Sequence, residues 1–315
     1  MPRHPSTTQI TSLARREFLR RAGTLAATAG ALALAGWTPH TPARAAQAGA
    51  RLKKSLKYGM IGGDGTPLDK FRLAKEAGFD GVELDSPSAI PREQFLEASR
   101  AAGLPIDGLV DSVHWRQTLS DPDPAVRSAG REALEVALSD AKFYGATTVL
   151  LVPAVVNAQV SYDQAYERSQ AEIRRVLPLA TELDVVIAIE NVWNHFLLSP
   201  LEMARYIDEF ESPHVGVQFD VGNIVNYGWP EQWIRILGPR IVKLDIKEFS
   251  RKRRDEEGLW KGFDVPIGEG DTDWPAVMAA LAEIGFEGWA AAEVPGGGLE
   301  QLSDIARRMD RVFSG

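Results

Sequence analysis

Four acidic residues end four successive apolar runs in the C-terminal half of the chain. They are Glu190 in VVIAIENV, Asp220 in VGVQFDVGN, Asp245 in IVKLDIKEF and Glu293 in GWAAAEV. A carboxylate at the end of a buried strand is costly unless it is paired, hydrogen-bonded or bound to a metal ion. Oxygen ligands suit a hard divalent cation, Mn²⁺ or Mg²⁺, with Co²⁺ as a further option. The pattern predicts one metal site, and four separate helix caps or salt bridges are the alternative.

A divalent cation beside two glutamates is suited to proton transfer next to a carbonyl group. The ion polarises the carbonyl and its neighbouring hydroxyl, and one glutamate removes a proton from the adjacent carbon. The positive charge then stabilises the resulting enediolate, and the second glutamate returns the proton. The expected chemistry is therefore sugar epimerisation or aldose–ketose isomerisation.

The acid-bearing runs alternate with helix-like stretches, which is typical of parallel strands with helical crossovers. From residue 56 onward the chain divides into eight strand-and-helix units. This number and order predict a single α/β domain, a (β/α)8 TIM barrel. A doubly wound open sheet is the second choice, because MIGGDG lacks the spacing of a dinucleotide-binding fingerprint.

Local signals mark several helix ends and one long connection. Thr66-Pro67 and Asp273-Trp274-Pro275 are typical helix starts. Residues 251–273 contain RKRRDEEGLWKGF and follow the seventh strand. They are too polar for a core element, so we expect either a lid over the active face or a solvated loop.

Residues 1–45 are predicted to be a twin-arginine export signal. Arg15 and Arg16 precede Phe18-Leu19 and an Ala-rich apolar stretch, and Ala43-Arg44-Ala45 matches a cleavage site. Residues 46–55 are then a short linker, and residues 56–315 form the barrel. The mature protein is expected in the periplasm or outside the cell. It would pass through the twin-arginine translocase and keep no stable membrane anchor.

Charge and cysteine content exclude several functional classes. The chain carries −8, and residues 1–45 contain six Arg and one Glu, so the remainder carries −13. Such an acidic surface repels nucleic-acid phosphates, so no nucleic-acid partner is expected. The absence of cysteine excludes disulfides, thiolate chemistry and Cys-ligated zinc.

The segments ENVWNHFLLSP, FDVGN, KLDIKEF, IGEGDTDWP and AAEV resemble the sugar phosphate isomerase and epimerase family of xylose isomerase-like TIM barrels. The resemblance covers about residues 56–313 and is strongest to the exported twin-arginine branch. It implies that Glu190 and Glu293 are metal ligands and also the acid–base pair, with Asp220 as a third ligand. Asp245 stands where the family commonly has a histidine ligand. Asn223 stands where ketose 3-epimerases place a substrate-contacting histidine.

Further residues are candidates for substrate binding. His114, expected to end the third strand, is suited to bind a hydroxyl or to move a proton, with a structural histidine as the alternative. Lys247 lies two residues beyond Asp245 on the same face and either offsets the negative charge of the four carboxylates or is a surface lysine at a strand end. Glu83 either contacts substrate or pairs with a lysine. Trp193 is one of four tryptophans expected on the active rim, where an aromatic face stacks on a sugar ring or serves packing alone. The four are Trp115, Trp193, Trp229 and Trp260.

Three functions remain open from the sequence. The leading hypothesis is an exported, metal-dependent isomerase or epimerase of a free sugar or keto-sugar. The second is a lyase that eliminates the glycosidic substituent of a 3-keto-glycoside, and the third is a non-catalytic sugar-binding barrel. A small-molecule carbohydrate is the expected partner in each case. Relatives of this kind often form homo-oligomers.

Overall fold

Eight parallel strands follow one another around a closed barrel, with the first strand beside the last. The computed structural model describes residues 51–314. The strands are β1 Arg51–Lys57, β2 Gly81–Ser86, β3 Ile106–Asp111, β4 Thr148–Leu151, β5 Val186–Glu190, β6 Val215–Asp220, β7 Ile241–Ile246 and β8 Glu287–Ala292. The predicted TIM barrel is confirmed, and the open sheet is wrong.

Helices connect the strands and cover the outside of the barrel. They are α1 Pro67–Ala77, α2 Arg92–Ala102, α3 Pro124–Tyr144, α4 Tyr162–Leu183, α5 Pro200–Asp208, α6 Val221–Val225, α7 Pro230–Leu237, α8 Arg251–Glu257, α9 Trp274–Glu283 and α10 Leu299–Phe313. Within the described part of the chain, no helix combines the length and apolar character needed to cross a membrane.

The helix ends follow from local chemistry. Thr66 caps α1 in a capping box with Asp69, and Asp273 caps α9 by accepting from the Ala276 amide. Both predicted helix starts are therefore confirmed. Gly78 ends α1 at φ 98°, a left-handed conformation that a residue with a Cβ adopts only with strain.

Side chains alternate between the two faces of each strand, and the two faces differ in chemistry. Outward side chains pack with the helices in one hydrophobic core; examples are Leu56, Val149, Ile189, Phe219 and Leu244. Inward side chains are largely polar, and they include Ser55, Lys57, Glu83, Thr148, Glu190, Gln218, Asp220, Lys243 and Asp245. The barrel interior therefore contains a layer of charged and polar side chains, called here the ionic layer, and the polar site adjoins it.

Two boundary predictions need correction, and a third concerns residues that the structure does not describe. β1 begins at Arg51 and pairs with β8 from there, so the predicted linker 46–55 extends too far. The first half of β1 was not predicted as a strand, because its charged residues are exposed and break the apolar run. β3 ends at Asp111, and His114 lies in the turn that follows. The predicted signal, residues 1–45, lies outside the described residues.

The connection 251–273 also differs from the expectation of a lid or a solvated loop. Its first part is α8, which Ser250 caps and which buries no residue. Its second part, Leu259–Phe263, is a 3₁₀ helix that brings aromatic side chains over the barrel mouth. A charged stretch with helical propensity can thus fold on the surface without contributing to the core.

Candidate metal and substrate site

The four predicted acids converge at the C-terminal mouth of the barrel. Glu190 and Asp220 are the last residues of β5 and β6, Asp245 lies one residue before the end of β7, and Glu293 follows β8. One carboxylate oxygen from each lies within 4.8 Å of those of the other three. Glu293 is partly exposed and the other three are buried. The four acids therefore form one cluster, within which Asp220 also caps α6 by accepting from the Asn223 amide, and a metal ion at this cluster stays a prediction.

This cluster fits a hard divalent cation. Every ligand atom is a carboxylate oxygen, the donor that Mg²⁺ and Mn²⁺ prefer. For oxygens at about 2.1 Å from an ion, opposite ligands lie about 4.2 Å apart, close to the spread found here. Among the described residues, this is the group of acidic and histidine side chains that meets metal-ligand spacing.

Two lysines flank the cluster. Lys247 Nζ lies 2.8 Å from Asp220 Oδ2 and 3.3 Å from Glu293 Oε2. Lys57 Nζ lies 2.9 Å and 3.1 Å from the two oxygens of Asp245. With all groups ionised, four carboxylates and two ammonium groups carry −2, so one divalent cation brings the sum to zero. Lys247 is therefore paired with two of the four acids and is not a surface lysine at a strand end.

A second ionic layer lies below the cluster and holds it in place. Lys57 also contacts Glu83, and Lys243 Nζ lies 2.6 Å from both Glu83 Oε1 and Asp107 Oδ2. Gln218 Nε2 donates to Glu83 and, at 2.9 Å, to Asp245 Oδ1. Lysine therefore holds the Glu83 carboxylate within the barrel, which decides between the two roles considered for this residue.

Burial dominates the protonation of the acids. It raises the pKa of Asp245 to about 7 and that of Asp220 to about 6, and neighbouring carboxylates add to a rise that the lysines oppose. Burial and the adjacent Glu293 carboxylate raise the pKa of Glu190 well above its ordinary value. The cluster therefore retains protons near neutral pH, and a cation that binds there displaces them.

Two asparagines orient the acids. Asn191 accepts from the Asp220 amide and donates to its carbonyl, at 2.8 and 2.7 Å, which joins the ends of β5 and β6. Asn223 Nδ2 donates to the Asn191 carbonyl at 3.0 Å and to Glu190 Oε1 at 3.4 Å. The Asn223 amide therefore orients Glu190, and the substrate contact predicted for this position stays a prediction.

His114 is a neutral hydrogen-bond donor. Its Nδ1 accepts from the Val152 amide at 3.2 Å, so the ring proton resides on Nε2. Burial and the charge of Lys57 lower the pKa of His114 to about 3. Of the two roles expected from the sequence, the geometry supports hydroxyl binding over proton transfer, because a ring with this pKa stays unprotonated at neutral pH.

The cleft above the cluster has two lobes. The polar lobe is a cavity of about 390 Å³ whose lining includes Lys57, Asp85, Asp111, Ser112, His114, Glu190 and Glu293. The aromatic lobe is a cavity of about 310 Å³ whose lining includes Trp115, Trp193, Asn223, Lys247, Trp260, Phe263 and Glu293. Trp115 and Glu293 line both lobes, so the two lobes are continuous at these residues.

The structure thus brings together most of the predicted site. Three of the four expected tryptophans line the aromatic lobe. Trp229 does not; its ring lies against the Arg251 guanidinium at 5.8 Å. Lys57 and Asn191 were missed. Lys57 occupies the C-terminal end of β1, the same position in its strand as the acids in theirs, and that was the available signal.

A family model described as xylose isomerase-like TIM barrel matches residues 71–312. The chain is 26% identical over 234 residues to the L-ribulose-5-phosphate 3-epimerase UlaE of Salmonella paratyphi C (strain RKS4594), covering 70% of this chain and 79% of that protein. It is 25% identical over 232 residues to the putative L-ribulose-5-phosphate 3-epimerase SgbU of Escherichia coli (strain K12), covering 70% and 80%. The solved structure of the 3-keto-D-glucoside 4-epimerase YcjR from E. coli is similar in fold, with a TM-score of 0.70, 18% identity and coverage of 84% of this chain and 100% of that one.

Proposed function

Because the chain belongs to the xylose isomerase-like TIM barrel family, whose relatives named above are sugar epimerases, we propose that it is a metal-dependent epimerase or isomerase of a keto-sugar. One observation carries the proposal. Glu190 and Glu293 belong to the four-acid cluster and both line the polar lobe. Two carboxylates therefore face the space in which a sugar carbon would react.

Glu190, Asp220, Asp245 and Glu293 are the residues that would hold the cation, with Mn²⁺ or Mg²⁺ as the proposed ion and Co²⁺ as a further option. When bound, a divalent cation supplies Lewis-acid polarisation of a carbonyl group. Asn191 and the two flanking lysines keep the four carboxylates at this spacing before substrate arrives.

The proton steps fall to the two glutamates. One carboxylate removes the proton from the carbon next to the carbonyl, and the bonding pair moves toward the carbonyl oxygen to form the enediolate of the sugar. The other glutamate, as the acid, delivers a proton to the opposite face, which inverts the carbon. The Nε2–H of His114 is placed in the same lobe to donate to a substrate hydroxyl.

The charge of the cleft supports an unphosphorylated substrate. The polar lobe is lined by four acids and by one lysine, Lys57, which Asp245 and Glu83 already engage. No arginine is among the described residues that line either lobe. A phosphate dianion would therefore meet repulsion without a bidentate partner.

We further propose that the protein is exported by the twin-arginine route and acts in the periplasm or outside the cell. The paired Arg15 and Arg16, the apolar stretch and the Ala43-Arg44-Ala45 site support this. Cell fractionation of the protein and of a variant with both arginines replaced by lysine tests the proposal.

Solvent-deuterium exchange tests the proposed reaction. Protein loaded with Mn²⁺ is incubated in D₂O with L-ribulose, D-fructose, D-tagatose and L-ribulose 5-phosphate, and NMR follows exchange and the epimeric product. We expect exchange at the carbon next to the carbonyl of a free keto-sugar. Elemental analysis and calorimetry with Mn²⁺ should find one tight ion. Glu190→Gln should abolish exchange and weaken Mn²⁺ binding, because the amide supplies a poorer ligand and no base.

Glu269→Gln is the matched control, since Glu269 is an exposed acid that pairs with Arg308 away from the cluster. It should retain exchange and metal affinity. Exchange that survives Glu190→Gln would contradict the catalytic assignment. Metal binding without exchange on any keto-sugar would favour a sugar-binding barrel, and release of the substituent from a 3-keto-glycoside would favour the lyase.

A further inference from the structure

One side of the aromatic lobe is a wall formed by the rings of Trp193, Trp260 and Phe263, which contact one another. Trp193 lies 5.0 Å from Phe263 and 5.1 Å from Trp260 between ring centroids. The rings of Trp260 and Phe263 are inclined by 29° to each other, with their centroids 6.4 Å apart. Trp260 is nevertheless 69% exposed, and Trp115, which also lines this lobe, is 49% exposed. Large aromatic faces left open beside a polar site are typical of ligand recognition.

This wall is fixed before a ligand arrives. Trp193 Nε1 donates to the Asn223 carbonyl at 2.8 Å, which sets the plane of its ring. Phe263 packs edge-on against Phe249 at 4.9 Å. A Cβ at Gly262 would overlap the Phe249 ring, so glycine is what allows the 3₁₀ helix to approach this closely. A preformed surface binds a ring with little further loss of side-chain entropy.

The segment that carries the wall is tied down as well. Arg251 donates to the carbonyls of Val225 and Gly228 at 2.9 and 3.0 Å. Arg254 donates to the carbonyl and to the side-chain oxygen of Asn226 at 2.9 and 3.0 Å. Both arginines thus attach α8 to the loop after β6. The exposed face of Trp260 therefore belongs to a supported part of the cleft.

The two lobes differ in the chemistry they can recognise. A monosaccharide presents hydroxyl groups around its ring, and the polar lobe alone, with its acids, Ser112 and His114, supplies partners for them. The aromatic lobe offers mostly apolar faces, and its polar lining residues are Asn223, Lys247, Glu248 and Glu293. Such a surface complements a second ring that has an apolar face. Because Glu293 lines both lobes, that ring would be attached next to the reacting sugar.

We propose that the substrate is a keto-sugar glycoside: the keto-sugar ring occupies the polar lobe, and the aromatic lobe binds the ring attached to it through the glycosidic bond. This inference rests on the proposed function, whose substrate class it names. Trp260 is the residue that sets specificity for the attached ring. An aromatic aglycone and a second sugar share the required apolar face, and the experiment separates them.

Calorimetry on the Mn²⁺-loaded protein compares the binding affinities of methyl and phenyl D-glucosides, in both anomers, with those of cellobiose and maltose. We expect a phenyl glucoside or a disaccharide to bind at least about tenfold tighter than the methyl glucoside, in line with about 1.4 kcal/mol for one stacked ring pair. A preference for phenyl identifies an aromatic aglycone, and a preference for a disaccharide identifies a second sugar. Trp260→Ala should remove the preference, whereas Trp260→Phe should keep most of it.

Trp229→Ala is the control, because Trp229 is similarly exposed at 56% but does not line the lobe. It should leave every affinity unchanged. Equal affinity for methyl glucosides, phenyl glucosides and disaccharides overturns the inference, and so does undetectable binding of all three. An equal loss of affinity for all three ligands in Trp260→Ala also overturns it. Deuterium exchange separates the two proposals. If a free keto-sugar exchanges but no attached ring improves binding, the proposed function stands and the glycoside inference fails. If an attached ring improves binding but no keto-sugar exchanges, the assignment of the aromatic lobe stands and the proposed reaction fails.

Discussion

Lys57 balances the charge of Asp245, and its removal should show how much the site depends on this ion pair. Its ammonium contacts both Asp245 oxygens and also Glu83, with 16% of the side chain exposed. Lys57→Met keeps the length and apolar body of the side chain but removes the charge. Glu83 retains Lys243 as a partner, so Asp245 is the carboxylate left without a lysine.

Two estimates bound the expected loss of stability. Unit charges about 3 Å apart interact by about 5 kcal/mol at an effective dielectric constant of about 20. Removing one partner of a buried ion pair typically costs about 3 to 5 kcal/mol. Partial solvent access to Lys57 and the option of protonating Asp245 favour the lower value. We therefore expect metal-free Lys57→Met to be about 3 kcal/mol less stable, or about 1 M lower in its urea midpoint.

Mn²⁺ should reduce this loss, because a divalent cation supplies the charge that Asp245 has lost. Urea denaturation with EDTA and with Mn²⁺ measures both values. The double variant Lys57→Met with Asp245→Asn should recover about 2 kcal/mol, since neither charge remains. Lys53→Met, an exposed lysine on the same strand, is the control and should change stability by about 0.5 kcal/mol or less.

Three results would refute this reasoning. Lys57→Met equal in stability to Lys53→Met would mean that the pair contributes nothing. The same loss with and without Mn²⁺ would mean that the cation does not reach Asp245. Strict additivity of the Lys57 and Asp245 variants would mean that the two residues do not interact.

Two further predictions concern protonation and packing. The raised pKa values of Asp220 and Asp245 mean that the folded, metal-free protein binds more protons than the unfolded chain between about pH 4 and 7, so its stability should fall across that window, by up to about 7 kcal/mol if both shifts apply in full. Urea midpoints in EDTA measure this, and a flat or rising profile would contradict it. Gly108→Ala should destabilise the protein by about 3 kcal/mol or more, because the new Cβ would overlap the Lys243 ammonium and displace it from two buried carboxylates. Gly59→Ala, which has open space around its Cβ, is the matched control, and equal midpoints for the two variants would show that the ionic layer adapts.

The fold and the four acids were predictable because both depend on local regularities of the chain. Strand-and-helix alternation reports a parallel barrel. In such a barrel all strands end on one face, so Glu190, Asp220 and Asp245 had to meet there. The start of β1 was misplaced, because Arg51 and Lys53 face solvent and break the apolar run. The end of β3 was placed too late, since His114 lies in the turn after Asp111.

The partners of those acids were not predictable from position alone. Asn223 could be named as a candidate, but its engagement with Glu190 and Asn191 depends on how the ends of β5 and β6 lie against each other. Trp229 and Trp260 look alike in sequence, since both follow strands on the active side. Trp229 contacts Arg251, whereas Trp260 lines the aromatic lobe. This difference depends on the path of the loops.

By itself, the sequence determined which strands carry carboxylates and on which face of the barrel they emerge, because side-chain alternation and strand direction are properties of the backbone. Only the tertiary structure decided the charge state of the site. Lys57 and Asp245 are separated by 188 residues, and their ion pair exists because barrel closure brings the ends of β1 and β7 within reach across the interior. Burial then raises the pKa of the acids while the lysines oppose the rise, and both effects depend on distances that no local pattern encodes.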